Sequence, residues 1–421
     1  MPKYIIEKNG PLTGEVEISG SKNAVLPIMA ASILTSKRCI ITEIPNLRDV
    51  DVMCQLLRSV GAEVNIDYIK REISITCETV SELEAPYELV KQMRASNLIM
   101  GPLLARTGKV KIAMPGGCAI GARPIDLHLK GFQALGTEIE LEHGYVEAKA
   151  EQLIGDKIYL DFPSVGATEN IMMCAVLSQG ITTIENAAEE PEIVDLANFL
   201  NSIGAKIKGA GTDTIKIEGV SESELTGTKY GIIPDRIETG TFMVAAAITR
   251  GDLFIKNAIA DHVKPVIAKL KECGVEITEM DGNLRVKATN GVKATDIKTL
   301  PYPGFPTDMQ AQFMTLLTSA NGASIIIETV FENRYMHIGE LNRMGANIKI
   351  EGRSAVVPGE QLLEGAQVTA TDLRAGAALV LAGLIAEGST EISDIYHIER
   401  GYSDFVEKLC QIGAKIRKVE D

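Results

Sequence analysis

The sequence predicts an α/β protein of two domains, each assembled from three copies of one helix-and-strand unit. Three observations lead there. The chain has 421 residues, too many for one ordinary core and well suited to two domains of roughly 200 residues each. A Gly followed by a small residue closes a helical stretch six times: Gly61-Ala62, Gly136-Thr137, Gly204-Ala205, Gly274-Val275, Gly345-Ala346 and Gly413-Ala414, at intervals of 75, 68, 70, 71 and 68 residues. Each mark leads into strand-like alternation, such as Ala205-Lys206-Ile207-Lys208 or Ala414-Lys415-Ile416-Arg417.

The rest of the unit recurs in the same order. A polar cluster opens a helix rich in Ala, Leu and Met, a Gly ends it, a β-branched strand follows, and a second, amphipathic helix leads to the Gly mark. In the third copy the first helix is expected from about Thr168 to Ser178, the strand at Ile181-Thr182-Thr183-Ile184 and the second helix from Glu192 to Ile203. In the sixth copy Thr371 or Asp372 caps a helix that ends at Gly388. The first helices carry few charges beyond their opening turn, the pattern of helices buried all round. Six copies divide into three plus three, with the break expected between Gly219 and Asp235. The leading strand, Tyr4 to Ile6 with Val16 to Ile18, precedes the first copy and could pair with the C-terminal half, a point that the repeats by themselves leave open.

Bulk properties exclude several functions. The net charge of -14 repels nucleic acid and anionic membranes, although a local Arg and Lys cluster can still hold a small anion. Seven widely spaced cysteines without C-x-x-C argue against a disulfide framework and a zinc site. The five histidines, at 128, 143, 262, 337 and 397, show no metal-ligand spacing. No metal and no cofactor is expected, and H-E-x-x-H, G-x-S-x-G and G-x-G-x-x-G are all missing. No apolar signal core follows Met1, and the longest apolar run, between Arg374 and Glu387, is too short for a bilayer. A soluble, cytoplasmic protein is expected.

The helix openings hold the candidate chemistry: Ser21-Lys22-Asn23, Arg94-Ala95-Ser96, Gly166-Ala167-Thr168, Asp235-Arg236-Ile237-Glu238, Thr307-Asp308 and Asp372-Leu373-Arg374. Helix N-termini favour anions, so these residues are either anion contacts or plain caps and ion pairs. Cys118 stands in the Gly-rich stretch Pro115-Gly116-Gly117-Cys118-Ala119-Ile120-Gly121-Ala122-Arg123-Pro124. It reads either as a small apolar turn residue or as an acid or nucleophile whose thiol Arg123 activates. Lys22 is a phosphate-binding point charge or a solvated first-turn lysine. Asp308 is a helix-start carboxylate or a general base. Arg334, Arg374 and Arg400 are anion contacts or structural ion pairs.

Long segments of the chain closely resemble one enzyme family. They are Ser19-Gly20-Ser21-Lys22-Asn23-Ala24, the Cys118 stretch through Asp126-Leu127-His128, Ser164-Val165-Gly166-Ala167-Thr168, Asp235 to Thr241, Phe305 to Gln312, and the segment around Arg400. Together they resemble the UDP-N-acetylglucosamine enolpyruvyl transferases of bacterial peptidoglycan synthesis over essentially the whole chain. The resemblance implies a two-domain inside-out α/β barrel, with three βαβαββ-type repeats around buried helices in each domain and the site between the domains; it places the first strand segment in the C-terminal domain, so that the domains are expected at 21–229 and at 1–20 with 230–421. It implies transfer of the enolpyruvyl group of phosphoenolpyruvate to the sugar 3-hydroxyl by addition and elimination. Cys118 is then the proton donor to C3 and the residue that fosfomycin alkylates, on a loop that closes over the site. Asp308 contacts the 3-hydroxyl. Lys22, Asn23, Arg123 and Arg400 grip phosphoenolpyruvate. Arg94, Arg123, Pro124, Ile125, Asp126, Leu127, Ser164, Val165, Gly166, Asp308 and Val330 bind the nucleotide sugar.

Two alternatives remain: the sister enzyme acting on shikimate 3-phosphate, and a non-catalytic paralogue that binds nucleotide sugar. Asn23 after Lys22 and the Pro-Gly-Gly-Cys stretch speak against the first; the presence of Lys22, Cys118 and Asp308 speaks against the second. One departure stands out: Phe162-Pro163 occupies the place where some relatives carry a basic residue. Oligomeric state is not legible; a monomer agrees with the pattern.

Overall fold

The computed structural model describes residues 2–114 and 125–420. These fall into two compact units, one of residues 2–19 and 234–420, the other of residues 20–114 and 125–233. Each unit contains three sheets and three long buried first helices. In the N-terminal unit the helices are Lys22–Ala31, Met100–Thr107 and Val165–Ala175. In the C-terminal unit they are Arg236–Ile248, Gln310–Thr318 and Leu373–Ile385. Their small side chains allow close packing. A Cβ on Gly101 would stand 2.3 Å from the carbonyl oxygen of Asn170 on the neighbouring helix, so only Gly fits. Strands such as Thr214–Glu218 alternate exposed and buried residues, placing one sheet face on the helices and the other in solvent. Helices lie inside and sheets outside in both units, and no sheet among the described residues closes on itself.

The six Gly marks have one physical cause. All six glycines take positive φ, between 88° and 111°. In every case the following residue donates its N–H to the carbonyl five positions earlier: Ala62 to Leu57, Thr137 to Phe132, Ala205 to Leu200, Val275 to Leu270, Ala346 to Leu341 and Ala414 to Leu409. This is the Schellman ending, in which a left-handed Gly lets the chain turn back on orphan carbonyls. The residue after the Gly is buried each time, which selects a small side chain.

Five sheets share one plan: a parallel edge strand, then the strand that follows the buried helix, then two antiparallel strands. In the sixth, Lys109–Ala113 has only the single parallel bridge Glu84–Lys111 at that edge. Three strands break the sequential order. Thr13–Glu17 precedes the first buried helix of the N-terminal unit, yet it pairs in parallel with Asp252–Lys256 in the C-terminal unit. Lys229–Gly231 precedes the first buried helix of the C-terminal unit, yet it pairs with Cys39–Thr42 in the N-terminal unit. The leading strands of repeats one and four are therefore exchanged. Lys3–Glu7 fills a third gap by lying antiparallel between Ser389–Ser393 and Ile416–Val419, where it completes the sixth repeat. The expected second domain began at residue 230. Pairing of Lys229–Gly231 keeps the chain in the N-terminal unit until Ile233.

Each crossing is fastened within its own unit by a buried carboxylate. The N–H of Ile233 donates to Asp195 at 3.2 Å, and the Tyr230 hydroxyl donates to the same carboxylate at 2.6 Å. The N–H of Ser19 donates to Glu238 at 3.1 Å, and Lys408 neutralises Glu238. No helix among the described residues is long and apolar enough to cross a membrane.

Candidate active site

Several polar helix openings turn out to be caps. Asp235 accepts from the N–H groups of Ile237 and Glu238 at 2.8 and 2.9 Å, and Asp372 from those of Arg374 and Ala375 at 2.8 and 3.0 Å. Ser164 accepts from Ala167 N–H at 3.4 Å. Lys22 behaves differently. It is the first residue of its helix, Ser21 gives no side-chain cap, and its Nζ lies 2.8 Å from Asp49 Oδ2. The lysine side chain is 10% exposed and the aspartate 3%, so this pair is buried rather than solvated. Asn23 follows, half-buried.

The rest of the N-terminal candidates gather around Asn170. Its side chain accepts from Gly101 N–H at 2.8 Å, donates to the Asn97 carbonyl at 2.8 Å and meets His128 Nδ1 at 2.9 Å. An amide donor there makes Nδ1 the acceptor, which places the imidazole proton on Nε2. The same ring lies against Gly166: a Cβ there would be 3.2 Å from His128 Cε1. One buried amide thus joins the 3-10 turn of Arg94, the helix that Asp126 opens, with Ile125 and Leu127, and the helix that Ser164, Val165 and Gly166 open. Phe162 is exposed, and beside it Asp161 pairs with Lys130 at 2.7 Å. Cys118, Arg123 and Pro124 lie outside the described residues.

In the C-terminal unit the candidates converge on Asp308, in a 3-10 turn that enters the helix Gln310–Thr318. Arg334 Nη2 is 2.7 Å from Oδ1, and Arg374 reaches Oδ2 with both Nε and Nη2 at 3.1 Å. Burial opposes the charge on Asp308, but Arg334 and Arg374, with help from Arg236, overcome it and hold the carboxyl well below the usual carboxylate range. Asp308 is therefore an anion at any working pH: a weak base, but a firm acceptor for a hydroxyl. Arg334 and Arg374, readable from sequence as either anion contacts or ion pairs, are ion-paired here.

The clamp has its own supports. Arg374 is almost wholly buried, with its guanidinium 5.3 Å from the Tyr402 ring centroid. Gln312 donates to the Asp308 carbonyl at 2.9 Å and to the Tyr402 hydroxyl at 3.1 Å. Thr307 accepts from Arg334 at 3.0 Å and donates to Glu328 at 2.9 Å. Sequence reasoning assigned no role to Gln312, Tyr402 or Glu328. Gln312 and Tyr402 stand inside segments singled out by pattern, but buried polar residues at helical spacing carry no mark of their partners. Val330 lies in the loop after Ser324–Ile327, half-buried. Arg400 ends the short helix Tyr396–Glu399 and lowers the pKa of His397, after burial of that ring.

The family model described as EPSP synthase (3-phosphoshikimate 1-carboxyvinyltransferase) matches residues 6–409. The UDP-N-acetylglucosamine 1-carboxyvinyltransferase 1 of Caldanaerobacter subterraneus subsp. tengcongensis is 66% identical, over 98% of this chain and 99% of its own. The chain belongs to the enolpyruvyl transferase family, with the UDP-N-acetylglucosamine 1-carboxyvinyltransferases. A second such protein, from Carboxydothermus hydrogenoformans, is 59% identical over the full length of both chains. Among solved structures, the enolpyruvyl transferase NikO from Streptomyces tendae superposes on the transferase with a TM-score of 0.91 at 25% identity, covering 99% of each chain. EPSP synthase from Acinetobacter baumannii gives 0.77 at 18% identity over both full chains, a likeness of fold.

Proposed function

We propose that the chain transfers the enolpyruvyl group of phosphoenolpyruvate to the 3-hydroxyl of UDP-N-acetylglucosamine, with release of phosphate, as the first committed step of peptidoglycan synthesis. One observation carries this: identity of 56–66% over 98–100% of the chain to relatives that bear that activity in their names. The 3-hydroxyl loses its proton as its oxygen adds to C2, while C3 gains a proton. The tetrahedral ketal then expels phosphate as C3 gives up a proton, which restores the carbon–carbon double bond.

Residue roles follow the sequence pattern. Lys22, Asn23, Arg123 and Arg400 hold phosphoenolpyruvate and the departing phosphate, since developing negative charge needs cations already in place. The buried Lys22–Asp49 pair supports that role, because a lysine so fixed spends little entropy when an anion arrives. Arg94, Arg123 to Leu127, Ser164 to Gly166 and Val330 take the nucleotide sugar. Asp308 orients the 3-hydroxyl; its depressed pKa supports an accepting role and disfavours uptake of a proton. Cys118 supplies the proton to C3 and is the residue that fosfomycin alkylates. A cytoplasmic location agrees with its substrates.

The deciding experiment is phosphate release from phosphoenolpyruvate with UDP-N-acetylglucosamine or shikimate 3-phosphate as acceptor, with and without fosfomycin. Turnover with the shikimate ester alone would replace the acceptor assignment. Cys118→Ser should abolish alkylation and cut turnover strongly; alkylation at the parent rate would remove Cys118 from the mechanism.

A further inference from the structure

Glu328 follows the strand Ser324–Ile327, is 1% exposed, and has none of the roles proposed above. Four donors converge on its carboxylate. Oε1 accepts from the Thr299 hydroxyl at 2.9 Å, from Val330 N–H at 2.8 Å and from Phe331 N–H at 3.2 Å. Oε2 accepts from the Thr307 hydroxyl at 2.9 Å. Thr307 precedes Asp308, and its oxygen also accepts from Arg334, the stronger partner of Asp308. Oε1 therefore fixes the loop that carries Val330, and Oε2 fixes the turn that carries Asp308.

We propose that Glu328 is a positioning residue for the transfer reaction, setting the acceptor-orienting Asp308 and the sugar-contacting Val330 relative to each other through one buried carboxylate. This rests on the roles given above to Asp308 and Val330. Only an acceptor with two free oxygens serves all four donors at once. A glutamine has one carbonyl oxygen, and the three donors at Oε1 claim it. Its NH2 then faces Thr307 as a second donor beside Arg334, and the Thr307 hydroxyl proton loses the acceptor that Oε2 gave it. Arg334 shifts, and Asp308 with it.

The test is a double-mutant cycle on the full chain, read as phosphate release with phosphoenolpyruvate and UDP-N-acetylglucosamine, with folding monitored by circular dichroism. Glu328→Gln and Thr307→Val are each expected to lower kcat about tenfold or more, the size of a lost hydrogen bond to a charged group. Because both act through the Thr307 hydroxyl, the double variant should lie within about twofold of the worse single one. Thr307→Ser, which keeps the hydroxyl, should recover most of the loss. Losses that multiply in the double variant overturn the proposal, as do single variants within about twofold of the parent. If Glu328→Gln does not fold, Thr307→Val against Thr307→Ser decides: equal losses count against the relay. A parent inactive with this acceptor sinks the functional assignment and this inference together, whereas an active parent with multiplying losses sinks the inference alone.

Discussion

The two units bury a charged candidate residue in opposite ways. In the N-terminal unit a buried cation, Lys22, lies 2.8 Å from the buried acid Asp49. In the C-terminal unit an acid, Asp308, is neutralised by two arginines, which are held in turn by Tyr402 and Thr307. The difference matches the side chains. An ammonium is a compact point charge that one carboxylate can satisfy, while a carboxylate has four lone-pair sites and suits the planar fork of guanidinium. The Lys22 ammonium meets a carboxylate oxygen through one contact, whereas two guanidinium groups hold both oxygens of Asp308.

The sharpest break of this comparison is Asp308→Asn. Two buried guanidinium groups lose their counter-charge and the hydroxyl acceptor weakens, so kcat should fall by about a hundredfold to a thousandfold. A loss below about tenfold in the phosphate assay would mean that orientation of the acceptor does not depend on this anion. On the N-terminal side, Lys22→Met removes the ammonium 2.8 Å from the buried Asp49 carboxylate, and should cost roughly 3 kcal/mol in urea unfolding as well as phosphoenolpyruvate binding. Adding Asp49→Leu should restore most of the stability and none of the binding. Recovery of both would assign Lys22 to structure only.

A smaller effect depends on pH. Burial, opposed by the Tyr230 and Ile233 donors, raises the Asp195 pKa from 3.8 to about 6. The folded state therefore holds this proton more tightly, and the stabilisation is present below pH 3.8 and lost as pH rises through 6, at up to about 1.4 kcal/mol per pH unit. Asp308 has the opposite sign: its contribution is whole above the unfolded carboxylate pKa and is lost only as pH falls below it. Asp195→Asn should remove the slope between about pH 4 and 6, measured as unfolding free energy against pH; an unchanged slope would show that this carboxylate is already ionised. Smallest are the Gly marks. Gly413→Ala meets nothing within 4 Å and should cost only the left-handed strain, about 1 kcal/mol. Gly204→Ala also places a Cβ 2.9 Å from the Glu224 carbonyl and should cost more. Equal shifts in Tm would make the backbone strain the whole effect.

The repeat plan was legible because its signals are local. A left-handed Gly, a bond reaching back five residues and a buried small neighbour all fall within one turn of helix. The caps at Asp235 and Asp372 were legible for the same reason, although pattern alone could not separate a cap from an anion contact. Asp308 and Lys22 were found as residue types at helix openings. Their pairing was not: Asp49 carried no mark, and Arg334 and Arg374, though singled out as anion contacts or ion pairs, come from other helices and loops with no period linking them to Asp308. The exchanged strands show the limit most clearly. Thr13–Glu17 and Lys229–Gly231 have equal right by pattern to the sheet beside the helix that follows them.

Sequence by itself therefore determined the six units, their helix endings and the residue types at each helix mouth, because backbone conformation and side-chain periodicity act over a few residues. Tertiary structure alone decided which strand completes which sheet, which acid pairs with Lys22 and which arginines clamp Asp308. Those choices depend on burial, where a charge or an N–H taken from water must find a partner wherever the fold supplies one.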